Sequence, residues 1–569
     1  MQSWKKRCAL VFALLLSISP LSACGGGETS DSSASSSEES ADSSVSGAQP
    51  TELRVAFTNA GFGSAWTSVL ARDFEKKTEN VSFEKGRLGA DVSFEAGPSV
   101  VTETQVLTGD FDVYFIENPD NVLPLMSAGV LEPLNTLVNT PNPDDKGQKI
   151  VDKLYDQHKE AYTRDGNLYL LPHYIGSYGL VYNIDLFEKK GFYFAETPDE
   201  EGYLLVDEYR TEKSAGPDGK KGTYDDGLPT TYEEFFYLCR EINATGIDPV
   251  GFTGTYSAWH LEYLMDALTV SYEGKEQARL NYTFEGTAKE LVVFNEDGSI
   301  KRENGKIVTE SAEITPETGY ETARSIGKYY AMQFVEELFG DTTYYNEDDS
   351  ALDSGVSFTD MQRKFLENES LAQKEYAMTV DGTWWQSEST AVFERMSKKN
   401  DKYSKMNRSF GWMPLPQPTQ EEADKIKNGE RKTVYGDQIN AVVCVKANLP
   451  EAKKKVALEL LKYAYSDEGL TAFTYEVGAT IGVDYFDALD DAKTTPYVKN
   501  YVAHLQSSDI VYPVSQEKRF AGQRNTYRAH TKYKSKTYVD ITQAFMYGDV
   551  TVDEFFADYQ TKFKSIAWN

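Results

Sequence analysis

Histidine and cysteine are scarce in this chain, five and four in 569 residues, and that scarcity removes several kinds of chemistry. His158, His173, His260, His504 and His530 show no HExxH or other close ligand spacing, so no histidine metal centre is indicated. Cys8 falls in the first apolar stretch and Cys24 follows it closely. Only Cys239 and Cys444 remain, each inside an apolar pattern, which predicts two buried free thiols and no disulfide or zinc framework. Positive charge is also short: 58 Lys and Arg stand against 89 Asp and Glu, a net charge of −31. A body this acidic repels nucleic acid and anionic lipid surfaces. Gly61-Phe62-Gly63 lacks the third glycine of a dinucleotide fingerprint, and no Walker lysine follows. Gly176-Ser177-Tyr178-Gly179 misses the nucleophile-elbow spacing by one residue. No catalytic constellation stands out, and the reading is that of a protein that is not an enzyme. Carboxylate pairs carry no weight alone in so acidic a chain.

What is present begins with a targeting pattern. Lys5, Lys6 and Arg7 precede an apolar run from Cys8 to Ile18, too short to be a membrane span and followed by small residues, as in a secretory signal. Leu21-Ser22-Ala23-Cys24 resembles a bacterial lipobox. That resemblance implies cleavage before Cys24 and a lipid on Cys24, hence attachment to the outer face of a membrane through the anchor only. Residues 24–50, almost devoid of apolar side chains, read as a self-repelling tether.

The body from residue 51 has the length of two or more lobes. Leu53, Val55 and Phe57 alternate as a strand, and a Gly-rich turn at 59–63 leads into a helix bearing Trp66, Val69, Leu70 and Phe74. A helical stretch near 100–107 precedes a second apolar strand at 111–116. Strand, helix and strand at this spacing predict an α/β sheet whose strand C-termini face a ligand. Those ends carry Asn59, Phe62, Glu117, Asn118 and Asp120. Capping boxes at Thr231–Glu234 and Thr551–Glu554 start helices, and another helix covers about 325–339. Residues 270–320 read as an inserted β-ribbon with hairpin turns at Asp297-Gly298 and Asn304-Gly305. Asp218, Asp225 and Asp226, in a Gly-rich loop, offer hard oxygen ligands for a structural calcium, opposed by Lys220 and Lys221; a solvated surface turn is the competing reading, and no other cofactor is expected.

Four segments carry a resemblance covering most of residues 51–569. YIGSYGLVYNIDLFEKKGF, LPTTYEEFFYLCREINATGIDPVGFTG, YAMTVDGTWWQ and VYGDQINAVVCVKAN together resemble the extracellular solute-binding proteins of sugar ABC importers, the group that includes maltodextrin-binding protein. The resemblance implies a two-lobe α/β fold, of the periplasmic-binding-protein class II type, with a hinge and a central ligand cleft. Lobe one would be 51–174 plus 437–482 and lobe two 175–436 plus 483–569, with extra sequence near 192–228 and 270–320. It implies a monomer that takes a sugar or oligosaccharide and passes it to ABC permease subunits.

In YAMTVDGTWWQ the Gly-x-Trp pattern implies that Trp384 faces the cleft as a sugar-stacking plate, with Trp385 packing behind it or exchanging roles. Asn59, Phe62, Glu117, Asp120, Tyr178, Tyr256, Trp259, Gly436, Asp437 and Arg519 are further ligand candidates, each near a strand end or crossing. A surface-anchored glycoside hydrolase or polysaccharide-adhesion module is the rival from another class, although the eight βα repeats of a hydrolase barrel are not seen. The same receptor fold with a peptide or polyamine cargo is the second alternative.

Overall fold

The computed structural model describes residues 48–97, 101–117, 122–196, 203–255, 257–350, 355–367, 375–436, 438–513, 532–533, 536–537 and 541–567. The signal, Cys24 and the tether before residue 48 lie outside these, as do Asn118, Asp120, Tyr256, Asp437, Arg519 and His530; of Trp259 only the backbone is described.

Two sheets organise the body. The larger has six strands in the spatial order Thr480–Ile481, Leu171–Gly176, Ile439–Val445, Val113–Glu117, Thr51–Phe57 and Ala90–Ala96. Thr51–Phe57 runs parallel to both of its neighbours, while Ile439–Val445 is antiparallel to Val113–Glu117 and to Leu171–Gly176. The alternation at Leu53, Val55 and Phe57 is buried as read. The edge strand Ala90–Ala96 is an element the sequence reading lacks. Only Ala90 and Val92 are buried in it, so it carries too short an apolar signal to stand out.

The smaller sheet has four strands in the order Phe410–Met413, Tyr178–Asn183, Tyr376–Gly382 and Asp248–Gly251. Tyr376–Gly382 is buried at every position, as a strand covered on both faces must be. The chain passes from the larger sheet to the smaller between Gly176 and Tyr178, with Ser177 the only residue between the two strands. Gln438 sits across this point. Its N–H donates to Gly176 O at 2.9 Å, its Oε1 accepts from Tyr178 N at 2.8 Å and Ser177 Oγ at 3.0 Å, and its Nε2 donates to Tyr263 O at 2.5 Å.

The helices follow their sequence signals. Thr231 and Glu234 close a reciprocal capping box on Tyr232–Ala244, and Thr551 and Glu554 exchange the equivalent bonds before Val552–Ala567. The predicted helix at 325–339 spans Ile326–Gly340. The 270–320 insertion divides differently from the expectation. Its first part continues the helix Ser257–Ala278, which turns sharply at Gly274 (φ 70°, ψ 172°), a conformation open to glycine. The ribbon proper pairs Gly286–Val292 with Thr309–Ile314, and its inner hairpin turns at Asn304-Gly305, both at positive φ.

Apolar packing does not divide along the two sheets. One cluster joins the six-stranded sheet to Phe365, Trp384, Trp385, Phe410 and Tyr497 across the crossing. A second unites the other side of the four-stranded sheet with the helices Tyr232–Ala244, Ser257–Ala278 and Ile326–Gly340. Cys239 and Cys444 are buried free thiols. No described helix is long and apolar enough to cross a membrane.

Candidate functional site

The C-terminal ends of Thr51–Phe57, Val113–Glu117 and Tyr376–Gly382 converge on the crossing at Ser177 and bring together an aromatic cluster. Phe62, from the loop after the first strand, stacks on Tyr174 with centroids 4.0 Å apart and an interplanar angle of 17°. Phe62 also lies 5.1 Å from the Trp384 ring, which meets Tyr178 edge-on at 5.1 Å and 90°. Tyr178 stacks almost parallel on Tyr263 at 4.8 Å, with His260 against its edge at 4.9 Å. These offset and perpendicular contacts are the arrangements that aromatic quadrupoles favour. Tyr178 and Tyr263 are half-buried, so they carry the solvent-reaching part of the cluster.

Trp384 itself is 6% exposed. Three glycines from three separate segments make room for it. A Cβ added to Gly61 would fall 2.3 Å from Trp384 Nε1, one at Gly176 2.7 Å from its Cε3, and one at Gly382 2.4 Å from its Cζ2. Gly61 belongs to the loop after the first strand, Gly176 to the crossing, and Gly382 to the end of the strand that delivers Trp384. The indole is therefore gripped from both sides of the crossing. Ser387 Oγ adds a further tie by donating to Phe62 O at 3.1 Å.

Carboxylates ring this cluster. Tyr174 OH donates to Glu117 Oε2 at 3.0 Å. Beneath Trp384, Gln362 Nε2 donates to Asp381 Oδ2 at 3.1 Å and to Glu388 Oε2 at 2.6 Å, and Gly382 N–H donates to Asp381 Oδ1 at 2.7 Å. The Trp384 indole N–H is a donor to Glu388. Burial pushes both carboxyls upward, Glu388 further because Asp381 lies beside it, while the amide and N–H donors pull the other way. Burial likewise holds the Tyr174 and Tyr178 phenols protonated, next to Glu117 and Asp381 respectively.

Of the residues singled out in the sequence, Phe62, Glu117, Tyr178 and Trp384 come together here. Asn59 sits in the same loop as Phe62, exposed. Gly436 packs instead against Val270 of the long helix, in a strand paired with Asp509–Val511. Trp385, expected to pack behind Trp384 or exchange roles with it, is fully buried among Phe365, Phe393, Phe410 and Tyr497. Consecutive residues at a strand-to-helix turn point in different directions, and Trp385 points into the core. Asp120, Tyr256, Asp437 and Arg519, and the Trp259 side chain, lie outside the described residues.

Asp218, Asp225 and Asp226 hold their own loop together. Asp225 Oδ2 accepts from Asp218 N, Asp218 Oδ1 from Lys220 N, and Asp226 Oδ2 from Gly222 N, at 2.9, 2.7 and 2.7 Å. Among the described residues no three His, Cys, Asp or Glu side chains converge as a metal-binding set. His158, His173 and His504 are buried and lowered to about 3, and His260 to about 4, each by burial. They are packing residues, neutral near pH 7.

Tyr174, Tyr263, Gln362, Asp381, Glu388 and Gln438 are participants the sequence reading did not select. Glu388 was within reach of it, because a residue four after Trp384 on a helical turn comes back beside it. Gln362 gives no such signal, since its helix meets the strand only through the fold.

Residues 59–471 match the family described as bacterial extracellular solute-binding protein. Among solved structures, a chitin oligosaccharide binding protein is similar at 15% identity and a TM-score of 0.53, over 91% of this chain and 100% of that one. The cyclic alpha-maltosyl-1,6-maltose binding protein from Arthrobacter globiformis is similar at 12% identity and a TM-score of 0.50, with the same coverage of 91% and 100%. No curated protein matches the sequence. The match covers well over half of the chain, and the architecture is the α/β solute-binding fold of these structures: the chain belongs to the bacterial extracellular solute-binding protein family.

Proposed function

We propose that this protein captures a sugar or oligosaccharide at the crossing between its two sheets and delivers it to the membrane subunits of an ABC importer, while tethered to the cell surface by a lipid on Cys24. The observation that carries this reading is the Phe62–Tyr174–Trp384–Tyr178–Tyr263 cluster with Glu117 at its margin. A pyranose presents an apolar face of C–H groups and a rim of hydroxyls, so it needs aromatic surface beside acceptors that take its O–H groups. The half-buried stacked pair Tyr178 and Tyr263 supplies the first surface reached from solvent, and Glu117 supplies an acceptor. Trp384, touched from both sides, is the ring that registers any change in how the sides meet. Ligand contacts from both lobes would favour their closure, and the closed form is what a permease would distinguish. The sugar named for each of the two similar solved structures supports this cargo class.

The test is a titration of the purified protein with mono- and oligosaccharides, followed by tryptophan fluorescence and calorimetry. A saturable response to one saccharide class is expected. Tyr178→Ala should weaken it by about tenfold or more, the equivalent of about 1.4 kcal/mol of lost stacking. Silence toward every saccharide, with saturable binding of a peptide or polyamine, would overturn the cargo assignment. Cleavage of the oligosaccharide on prolonged incubation would overturn the receptor assignment in favour of a hydrolase.

A further inference from the structure

Beneath Trp384 one amide group serves two carboxyls. Gln362, 1% exposed, donates through Nε2 to both Asp381, 3% exposed, and Glu388. Ser389 Oγ occupies the Gln362 carbonyl at 3.2 Å, which fixes the amide with its NH2 toward the acids. Asp381 has a second donor in Gly382 N–H. Glu388 has the Trp384 indole, and its Oε1 lies where a Cβ on Gly61 would meet it at 2.7 Å. Glu388 is thus covered by a loop belonging to the other side of the crossing.

The groups facing this pair offer no compensating positive charge. Helix Phe358–Glu367 turns Gln362 toward it, while Arg363 pairs with Asp360 and Glu367. Helix Pro496–Ser507 presents Tyr497 to Asp381. The crossing presents Tyr178, which also feels Glu117, and Tyr174 faces Glu117. The long helix brings Tyr263 and the neutral His260 against Tyr178. The 58–64 loop contributes Gly61 and Phe62, neither titratable. Among the described residues no lysine or arginine bears on either carboxyl. Two buried carboxylates side by side, sharing one amide, cannot both hold a charge cheaply.

We propose that Glu388 is a positioning residue for Trp384 and that it makes the closure of the two sides proton-linked: it is neutral while the Gly61–Phe62 loop covers it, and ionises when that loop lifts away and water reaches it. Closure takes up a proton and opening releases one. Acid therefore favours the state in which Trp384 is gripped from both sides, and alkali favours its release. The role of this latch in cargo capture rests on the reading above, but the latch itself is a property of the ligand-free chain.

The experiment is small-angle X-ray scattering of the purified, ligand-free full chain between pH 6 and pH 9, beside Glu388→Gln and Asp381→Asn. The wild-type radius of gyration should rise reversibly with pH. Glu388→Gln, which cannot ionise, should give a radius of gyration that does not change with pH. Asp381→Asn removes the neighbouring charge and should move the midpoint to lower pH by about one unit. A flat wild-type profile, or a Glu388→Gln profile that follows the wild type, overturns the proposal. Should Glu388→Gln not fold, an Asp381→Asn midpoint that stays in place or moves upward overturns it alone. Because no saccharide is involved, failure of the sugar titration and failure of the latch are separate results.

Discussion

Gly382→Ala is the perturbation whose effect can be worked most directly from the structure. The added Cβ would lie 2.4 Å from Trp384 Cζ2 and 2.5 Å from both Cε2 and Cη2, so its three nearest neighbours are all atoms of one ring. Separations under about 3 Å between carbons are deep in the repulsive wall. The indole cannot slide to relieve them, because Gly61 and Gly176 leave room for its other edges and no more. The backbone at Gly382 is ordinary strand, paired with Tyr178, so the substitution adds no conformational strain of its own. Overpacking of this kind costs about 1–3 kcal/mol, and the boxed ring puts the expected loss in the upper half of that range. In a Trp384→Ala background the same Cβ enters vacated space, and Gly382→Ala should be neutral within about 0.5 kcal/mol or mildly stabilising. The double-mutant coupling, read from urea unfolding of the four proteins, should then be about 2 kcal/mol. If Gly382→Ala costs the same with and without the indole, or costs nothing in either, Trp384 does not occupy this slot.

Trp385→Ala should lower folding stability by about 3–5 kcal/mol through the cavity left among Phe365, Phe393, Phe410 and Tyr497; among variants that remain folded, Trp385→Phe should leave saccharide affinity unchanged, and a tenfold loss would return Trp385 to the ligand site. The buried histidines set an acid dependence whose sign is fixed. His173 is lowered to about 3 in the fold and is near 6.5 when unfolded, so the unfolded chain binds more protons between those values and stability falls as pH drops below about 6.5. His173→Phe should flatten the profile over that window by up to about 1.4 kcal/mol per pH unit; an unchanged slope in urea unfolding at pH 7, 6 and 5 would show that His173 does not stay neutral.

How far the sequence alone reaches is seen in which residues it names. Trp384 is legible because a Gly-x-Trp pattern after a mostly apolar strand is local, and the structure shows a local cause: Gly382 is side-chain-free so that the ring two residues on can fold back over its own strand end. Trp385 is legible only as an alternative, since adjacency says that two rings diverge but not which goes inward. Phe62 and Glu117 follow from strand C-terminal ends, a rule of fold topology, and Tyr178 from the crossing. Gly436 obeys the same rule but lies away from the aromatic cluster, because its strand pairs with Asp509–Val511 and faces Val270. Tyr263 sits in a helix whose far end reads as β-like, and Gln362 reaches Asp381 and Glu388 across a span no periodicity encodes. Ala90–Ala96 is silent because an edge strand buries too few side chains to leave a pattern.

The continuity of apolar packing through the crossing constrains what any motion of the two sides can be. Trp385, Phe410 and Tyr497 belong to the same cluster as the six-stranded sheet, so the sides cannot separate as two independent cores without exposing that packing. At about 25 cal/mol per Å2, opening even a few hundred Å2 of it would cost several kcal/mol. On the Phe62 side the contacts are Ser387 to Phe62 O, Glu388 beneath Gly61, and the Phe62 and Trp384 rings 5.1 Å apart. The crossing itself is tied by Gln438 through four hydrogen bonds to Gly176, Ser177, Tyr178 and Tyr263. If the latch proposed above opens, Gln438 and the packing around Trp385 stay joined and the contact that parts is the one at Gly61–Phe62. Trp384 stands on the opening edge. The buried acid pair is placed beneath that edge, where a change in contact between the sides becomes a change in the solvation of Glu388.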